Sequence, residues 1–493
     1  MISQRRIVFL ILGPLIFFSL QCMRTPEGMS ESAFDMLAIT LWMAVWWITE
    51  VIPIGVTALL PIILFPITGA VDISTTTASF GHKYIFLYMG GFMLAIAIEK
   101  WNLHKRIALH IIKLIGVNVT RIILGFMVAT AFLSMWISNT ATSVMMLPIG
   151  MSIVSQLKDN PLTEENENLI FGKALMLSIA YSASIGGVAT LIGTPPNLVF
   201  AGFIEETYHI EISFMTWMKI GFPISVVLLI IGWYYLTHHA FTFKQKKFPG
   251  GKEEIQRLLH ELGPMKPEEK TVLGLFILTA FCWITRSFLL QHIISNIDDT
   301  IIAITAGLLL FILPTTRKGH PIITWKEAVK MPWGIILLFG GGMALASGFE
   351  ITGLATWFGS QVKLLNGLPL LALILVIITA VNFITEVTSN LATTAMLLPI
   401  LAPVALSLEI NPYVLMVATT LAASCAFMLP VATPPNAVVF GSGYLKIPDM
   451  IKTGLWMNVI SILILTLTVY FLLPLIWGFD PKDVQHFMRL IAP

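Results

Sequence analysis

SNTATSVMMLPI, from Ser138 to Ile149, returns 251 residues later as SNLATTAMLLPI, from Ser389 to Ile400, with eight of twelve positions identical. The tetrapeptide TPPN follows each copy, at Thr194 to Asn197 and at Thr433 to Asn436. All four strings lie within apolar stretches, where tandem prolines remove amide donors, clash with the preceding turn and force a helix open. Inside a bilayer an opened backbone is tolerated only where it faces protein or a water-filled cavity. Polar, broken and duplicated motifs in an apolar chain therefore imply a secondary transporter with its binding site near the midplane.

Composition agrees with that reading. The 493 residues are 56% hydrophobic and 11% charged, with mean hydropathy +0.85, whereas soluble domains carry about 25% charged residues. An all-α polytopic membrane protein is expected. The formal charge of +2 and the lack of a basic stretch with interleaved aromatics exclude a nucleic-acid partner. Cys22, Cys282 and Cys425 are odd in number and show no CxxC spacing, which argues against a disulfide framework or a zinc site. The opening MISQRRIVFLILGPLIFFSLQC places two arginines before an apolar core, as a signal peptide does. No small-x-small cleavage site follows and Gln21 spoils a lipoprotein-type site, so an uncleaved first transmembrane helix is expected.

Apolar runs of roughly the 20 residues that span hydrocarbon fall near 7–23, 36–52, 54–70, 84–99, 174–203, 217–238, 271–292, 299–314, 333–352, 412–442 and 454–477. Those are eleven expected spans. Two further apolar segments, about 122–155 and 368–405, carry the SN strings at their middles and read as re-entrant helical hairpins. With the N-terminus inside, 22 of the 29 basic residues fall on the inner face, among them Arg5, Arg6, Lys246, Lys247 and Lys318, as the positive-inside rule requires. The C-terminus then lies outside, and the expected location is the cell (inner or plasma) membrane.

The duplication extends beyond the two strings. Met89 to Leu103, MGGFMLAIAIEKWNL, aligns at the same offset with Gly340 to Leu354, GGGMALASGFEITGL, sharing both central glycines, the Leu-Ala pair, the glutamate and the last leucine. Five crossings separate the fourth and ninth spans, so equivalent elements run in opposite directions. Residues 1–241 and 271–493 are read as inverted-repeat halves. The polar stretch 242–270 joins them, and its centre, EEIQRLLHEL, fits an amphipathic surface helix or a solvated cytosolic linker helix.

A half-helix beginning at a Ser-Asn tip presents free backbone N–H groups and the positive end of its dipole, which suits a carboxylate or a phosphate. Asn139 and Asn390 are thus candidate anion ligands approaching one site from opposite sides. The hydroxyls of Ser134, Ser138, Thr385 and Thr388, the asparagine carbonyls, and the backbone carbonyls freed at Gly193 and Ala432 are neutral hard oxygens suited to Na⁺. A cation and an anion bound side by side stabilise each other. Taken singly, serine and threonine in membrane helices serve back-bonding or close packing; two copies in the same order favour a site. Glu99, Glu350 and Glu386 are the remaining intramembrane carboxylates, the first two at span ends, the third placed to tune the second cation site.

These residues carry a resemblance. The chain resembles the divalent anion:sodium symporter family, the bacterial and animal dicarboxylate and citrate cotransporters, through Thr49 to Pro61 (TEVIPIGVTALLP), Trp101 to His110 (WNLHKRIALH), Met135 to Pro148, Gly186 to Asn197 (GGVATLIGTPPN), Ile384 to Pro399 and Val431 to Asn436. The resemblance implies a homodimer in the lipid bilayer, each protomer with a scaffold domain and a transport domain that moves as an elevator. It implies no cofactor, with Na⁺ as the coupling ion and a C4 dicarboxylate (succinate, malate, fumarate) or related di- or tricarboxylate as substrate. It further implies one Na⁺ site at Ser134, Ser138, Asn139 and Gly193 and a second at Thr385, Thr388, Asn390 and Ala432. Substrate carboxylates then meet Asn139, Thr140, Thr194, Ser389, Asn390 and Thr433. Leu391 departs from the usual pattern, standing where a threonine hydroxyl often sits, which leaves open the preferred acid.

Other classes fit less well. An intramembrane enzyme lacks an HExxH, a nucleophile elbow and any histidine in the repeated motifs, and an ATP-driven pump lacks a Walker sequence. A channel has no use for two inverted half-sites. A Na⁺-independent dicarboxylate exchanger is the nearest alternative, and it calls for a basic side chain among the site residues in place of the cation.

Overall fold

The computed structural model describes residues 4–116, 118–158, 165–244, 250–317, 319–361, 367–484 and 487. Lys246, Lys247 and Lys318, which contributed to the inner-face charge, and the C-terminal end lie outside the described residues. Among the described residues the fold is helical, with no strand and one isolated bridge between Pro314 and Pro321. Nine helices among the described residues are long and apolar enough to cross a membrane, and six shorter apolar helices accompany them. Two of the nine, Asn139–Leu157 and Asn390–Ser407, fall on segments expected to be hairpin arms, and the architecture shown is a helical, polytopic one with about nine candidate spans.

Three expected spans are broken in the structure. Residues 54–70 form the short helices Ile54–Thr57 and Leu60–Thr68. Residues 174–203 divide into helices Glu165–Val188 and Pro195–Tyr208, and 412–442 divide into Pro412–Ala423 and Pro434–Phe440. The physical cause at the last two is the proline pair. Thr194 and Thr433 hold the same extended conformation, φ −141° with ψ 141° and 148°, which the following proline enforces, and each new helix starts on prolines whose missing N–H is no loss there.

The segments around the SN strings are each two helices joined by a four-residue tip. Val119–Ser134 meets Asn139–Lys158, and Leu370–Thr385 meets Asn390–Ser407. The helices of the aligned glycine segments, Lys83–Lys100 and Trp333–Thr352, also correspond, ending before Asn102 and at Gly353, both left-handed (φ 56° and 77°). Their glycines permit close packing: a Cβ on Gly90 would lie 2.5 Å from the Ala303 carbonyl, and one on Gly341 2.5 Å from the Ala58 carbonyl.

The junction helix Gly251–Glu261 is not solvated all round. Glu254 and Ile255 are buried, and the Ser152 hydroxyl of the first hairpin donates to Glu254 Oε1 at 2.5 Å. Arg106 secures the following turn, donating to the Gly263 carbonyl at 3.1 Å and pairing with Glu269 at 2.5 Å. The apolar stripe of Ile255, Leu258, Leu259 and Leu262 thus faces protein. Outer helices expose large apolar side chains such as Ile67, Ile230, Leu308 and Leu475, which suits lipid contact.

Candidate functional site

Both hairpin tips fold back on an asparagine in the same way. In the first half Ser134 Oγ donates to the Ala183 carbonyl at 2.7 Å and lies 2.6 Å from the Asn139 amide. In the second, Thr385 Oγ1 is 3.0 Å from the Ala423 carbonyl and donates to Asn390 Oδ1 at 2.7 Å. Behind the tips the two TPPN asparagines close the broken spans alike. Asn197 Nδ2 donates to the carbonyls of Gly187 and Thr190, ten and seven residues back, at 3.2 and 2.7 Å. Asn436 Nδ2 does the same to Ala426 and Leu429 at 3.4 and 3.0 Å. Each amide donates to carbonyls left open where the helix breaks, since buried carbonyls need donors.

The Asn139 amide sits among oxygens. With its nitrogen turned inward it donates to Ser134 Oγ at 2.6 Å, the Ala183 carbonyl at 3.1 Å and the Gly193 carbonyl at 3.2 Å. With its oxygen inward, two carbonyls face a third oxygen, an arrangement that is repulsive unless a cation lies among them. Hard neutral oxygens of this kind are what Na⁺ takes. Gly187 makes room for the amide, because a Cβ there would lie 2.4 Å from Asn139 Oδ1.

The tips and the TPPN segments line one cavity of about 430 Å³. Of the expected anion ligands, Asn139, Thr140, Thr194, Ser389, Asn390 and Thr433 all reach it, as do Ser138, Ala432 and Leu391. Helices of 20, 18 and 14 residues begin there, at Asn139, Asn390 and Pro195, so their positive dipole ends converge. Ser134, Gly193, Thr385 and Thr388 stand behind the lining. Thr388 is engaged elsewhere, donating to the Ile384 carbonyl at 2.9 Å and sharing a 2.6 Å hydrogen bond with Thr393. Of the three singled-out carboxylates, Glu99 and Glu350 are exposed and off this cavity.

Glu386 is buried and fully engaged. Its oxygens accept the N–H groups of Phe427, Met428 and Leu429 at 2.8 to 3.2 Å and the Asn458 amide at 2.7 Å. Sequence reasoning missed this clamp, as it missed the Ala183 and Ala423 carbonyls and the part of the cavity wall made by Glu50, Ile54, Tyr88 and Ile335. The TEVIPIG string carried the signal for part of that wall. The carbonyls, being backbone, left none.

The fold has solved counterparts. The Alcanivorax borkumensis YdaH transporter superposes with TM-score 0.55 at 14% identity, covering 83% of this chain and 89% of that one. Neisseria gonorrhoeae MtrF gives 0.54 at 13%, with 96% of each chain covered. In sequence, the Staphylococcus saprophyticus sodium-dependent dicarboxylate transporter SdcS is 47% identical over 482 residues, 96% of this chain and 93% of that protein. SdcS of Staphylococcus aureus is 47% identical over 484 residues, 97% and 93% of the two chains. These relatives are named transporters, in keeping with the expectation that the chain is not an enzyme. The family profile described as sodium:sulfate symporter transmembrane region matches residues 4–477, and the chain accordingly belongs to the divalent anion:sodium symporter family.

Proposed function

We propose that the chain imports C4 dicarboxylates or related di- and tricarboxylates, coupled to Na⁺. The observation that carries this is the convergence of two SN tips and two TPPN segments on one cavity rich in neutral hydrogen-bonding groups. The names of the 47% identical staphylococcal relatives support both the ion and the acid. An exchanger needs a basic side chain in the lining, and among the lining residues none is basic.

The Asn139 amide supplies a route to coupling. Without Na⁺ its N–H groups turn inward to the Ala183 and Gly193 carbonyls, leaving its oxygen toward the cavity, where it repels a carboxylate. Na⁺ among those oxygens turns the amide over, and its N–H groups then face the substrate. Asn390, beside Thr385 and the Ala423 carbonyl, serves the second half-site. Substrate carboxylates meet Asn139, Thr140, Thr194, Ser389, Asn390 and Thr433, while Ser138, Thr388 and the Ala432 carbonyl complete the cation shells.

In this reading eleven helices cross the cell membrane, the SN segments re-enter as hairpins, and the inverted halves exchange access by an elevator motion of tips past the Glu50–Ile54–Tyr88–Ile335 wall. The N-terminus is cytoplasmic, the C-terminus extracytoplasmic and the assembly a homodimer. Labelled succinate uptake into proteoliposomes is expected under a Na⁺ gradient and to fall at least about tenfold under K⁺. Equal uptake in the two gradients would overturn symport. Asn139→Ala and Asn390→Ala are each expected to abolish uptake in folded protein, and wild-type rates would remove that residue from the site.

A further inference from the structure

The cavity receives an anion, yet among its lining residues the one side chain with a formal charge is a carboxylate, Glu50. It caps helix Glu31–Thr49 in the left-handed conformation, φ 45° and ψ 35°, which residues other than glycine and asparagine rarely adopt. Strained positions of this kind gather at functional sites. The side chain is exposed and, among the described residues, has no ion pair and no side-chain hydrogen bond. Arg6 shares a neighbouring cavity with it but directs Nε to the Val51 carbonyl at 3.0 Å. Among the described residues Glu50 therefore makes no direct ion pair, although the Arg6 guanidinium lies on the neighbouring cavity.

It lines the same cavity as the tips. Glu50 lies on the wall with Ile54, Tyr88 and Ile335, of which only Tyr88 is otherwise polar, and the Tyr88 hydroxyl is buried without a partner. A dicarboxylate whose two carboxylates sit at the tips leaves this part of the lining to whatever further group the ligand carries. A third ionised carboxylate on the same ligand meets a fixed charge of its own sign.

We propose that Glu50 is a charge filter, a specificity residue that penalises trianions against dianions; this rests on the carboxylate-transport reading above. One unit charge acting at roughly 8 Å through an effective dielectric of about 20 to 80 changes relative affinity by about two- to thirtyfold. Removing the charge lifts that penalty, and adding a second charge to the same wall deepens it.

The test is competition for Na⁺-driven labelled succinate uptake, in proteoliposomes, by tricarballylate against unlabelled succinate at a pH where every carboxyl is ionised. Glu50→Gln should shift the inhibition ratio about two- to thirtyfold toward tricarballylate, Glu50→Asp should stay near wild type, and Ile335→Glu should move the ratio the other way. An unchanged ratio in Glu50→Gln overturns the filter, as does loss of succinate uptake in folded Glu50→Gln, because a filter is dispensable for a dianion. If Glu50→Gln does not fold, Ile335→Glu decides alone, and an unmoved ratio there overturns the proposal. Wild-type vesicles without Na⁺-driven succinate uptake would overturn the transport reading and the filter with it. An altered ratio cannot arise in that case, so the two failures are distinct.

Discussion

The two broken spans reach the same geometry by different chemistry. In the first half a helix of 24 residues, Glu165–Val188, is followed by a six-residue break. In the second a helix of only 12 residues, Pro412–Ala423, is followed by a ten-residue break. Twelve residues of helix rise about 18 Å, so the second half covers its remaining depth with open chain. Open chain frees more N–H groups, and those must find acceptors in a dry interior. Glu386 provides them, clasping Phe427, Met428 and Leu429. Its counterpart 251 residues earlier is Met135, whose side chain has no such duty, while its backbone carbonyl accepts the Thr190 hydroxyl at 2.5 Å. Apart from Thr140 and Leu391, the tip residues that face the cavity are the same in both copies, and groups that support them differ with the length of the break.

Exchanging the support groups is the strongest way to break this comparison. Glu386→Met imports the first-half residue and strands the half-buried N–H groups of Met428 and Leu429 and the buried Asn458 amide, each costing about 1–3 kcal/mol, while Phe427 N–H keeps Asn458 Oδ1 at 3.1 Å. The expected result is a loss of at least about 3 kcal/mol, seen as a large fall in the melting temperature of the detergent-solubilised protein, with uptake abolished. Met135→Leu, a volume-conserving change, should cost less than about 1.5 kcal/mol. Similar melting temperatures for the two variants would show that the carboxylate does not hold the second break.

A second exchange concerns the floor under the asparagines. The carbonyl ten residues before each TPPN asparagine belongs to Gly187 in the first half and to Ala426 in the second. Only the first position tolerates no Cβ, which would meet Asn139 Oδ1 at 2.4 Å. Gly187→Ala is therefore expected to push the amide off its oxygens and raise the Na⁺ concentration for half-maximal uptake about tenfold or more, while Ala426→Gly leaves it within about twofold of wild type. One pKa-sized step of 1.4 kcal/mol is a tenfold change in affinity, well within the cost of an overpacked contact, about 1–3 kcal/mol. Sodium titrations of uptake distinguish the outcomes, and equal half-saturation values would remove the amide cage from the first cation site.

What the sequence disclosed follows the same division. The tips and TPPN segments were legible because proline breaks and amide side chains are written in residue types, and because duplication separated them from packing serines and threonines. The Ala183 and Ala423 carbonyls were not, since any residue supplies a carbonyl. Glu386 was noticed as an intramembrane carboxylate, but its partners lie 41 to 43 residues away on backbone N–H groups, and only tertiary folding brings them together. The docking of Gly251–Glu261 was half legible: its period marks one apolar face, and the buried Glu254 meeting Ser152 across 102 residues is what says that the face covers protein.

The smallest expected effect is at the one ligand-facing position where the copies differ. Thr140 at the first tip is exposed to the cavity and carries a hydroxyl, whereas its counterpart Leu391 lines the same cavity almost fully buried and carries none. Leu391→Thr restores the symmetry of the two tips. A well-placed hydrogen bond to a charged group contributes about 1.5–3 kcal/mol, but the change also gives up the burial of a leucine side chain, about 1.5–3 kcal/mol. The second acts on the stability of the fold, and the first acts on affinity only as far as the nearly buried position lets the hydroxyl reach the ligand, which differs between acids that fill the space by the second tip differently. Uptake of succinate should therefore change little and its Na⁺ dependence not at all, while the ratio of citrate to succinate inhibition shifts by about threefold to tenfold. Competition curves for labelled succinate in both variants measure this directly, and indistinguishable curves would mean that the hydroxyl missing from the second tip is not a selectivity contact in this chain.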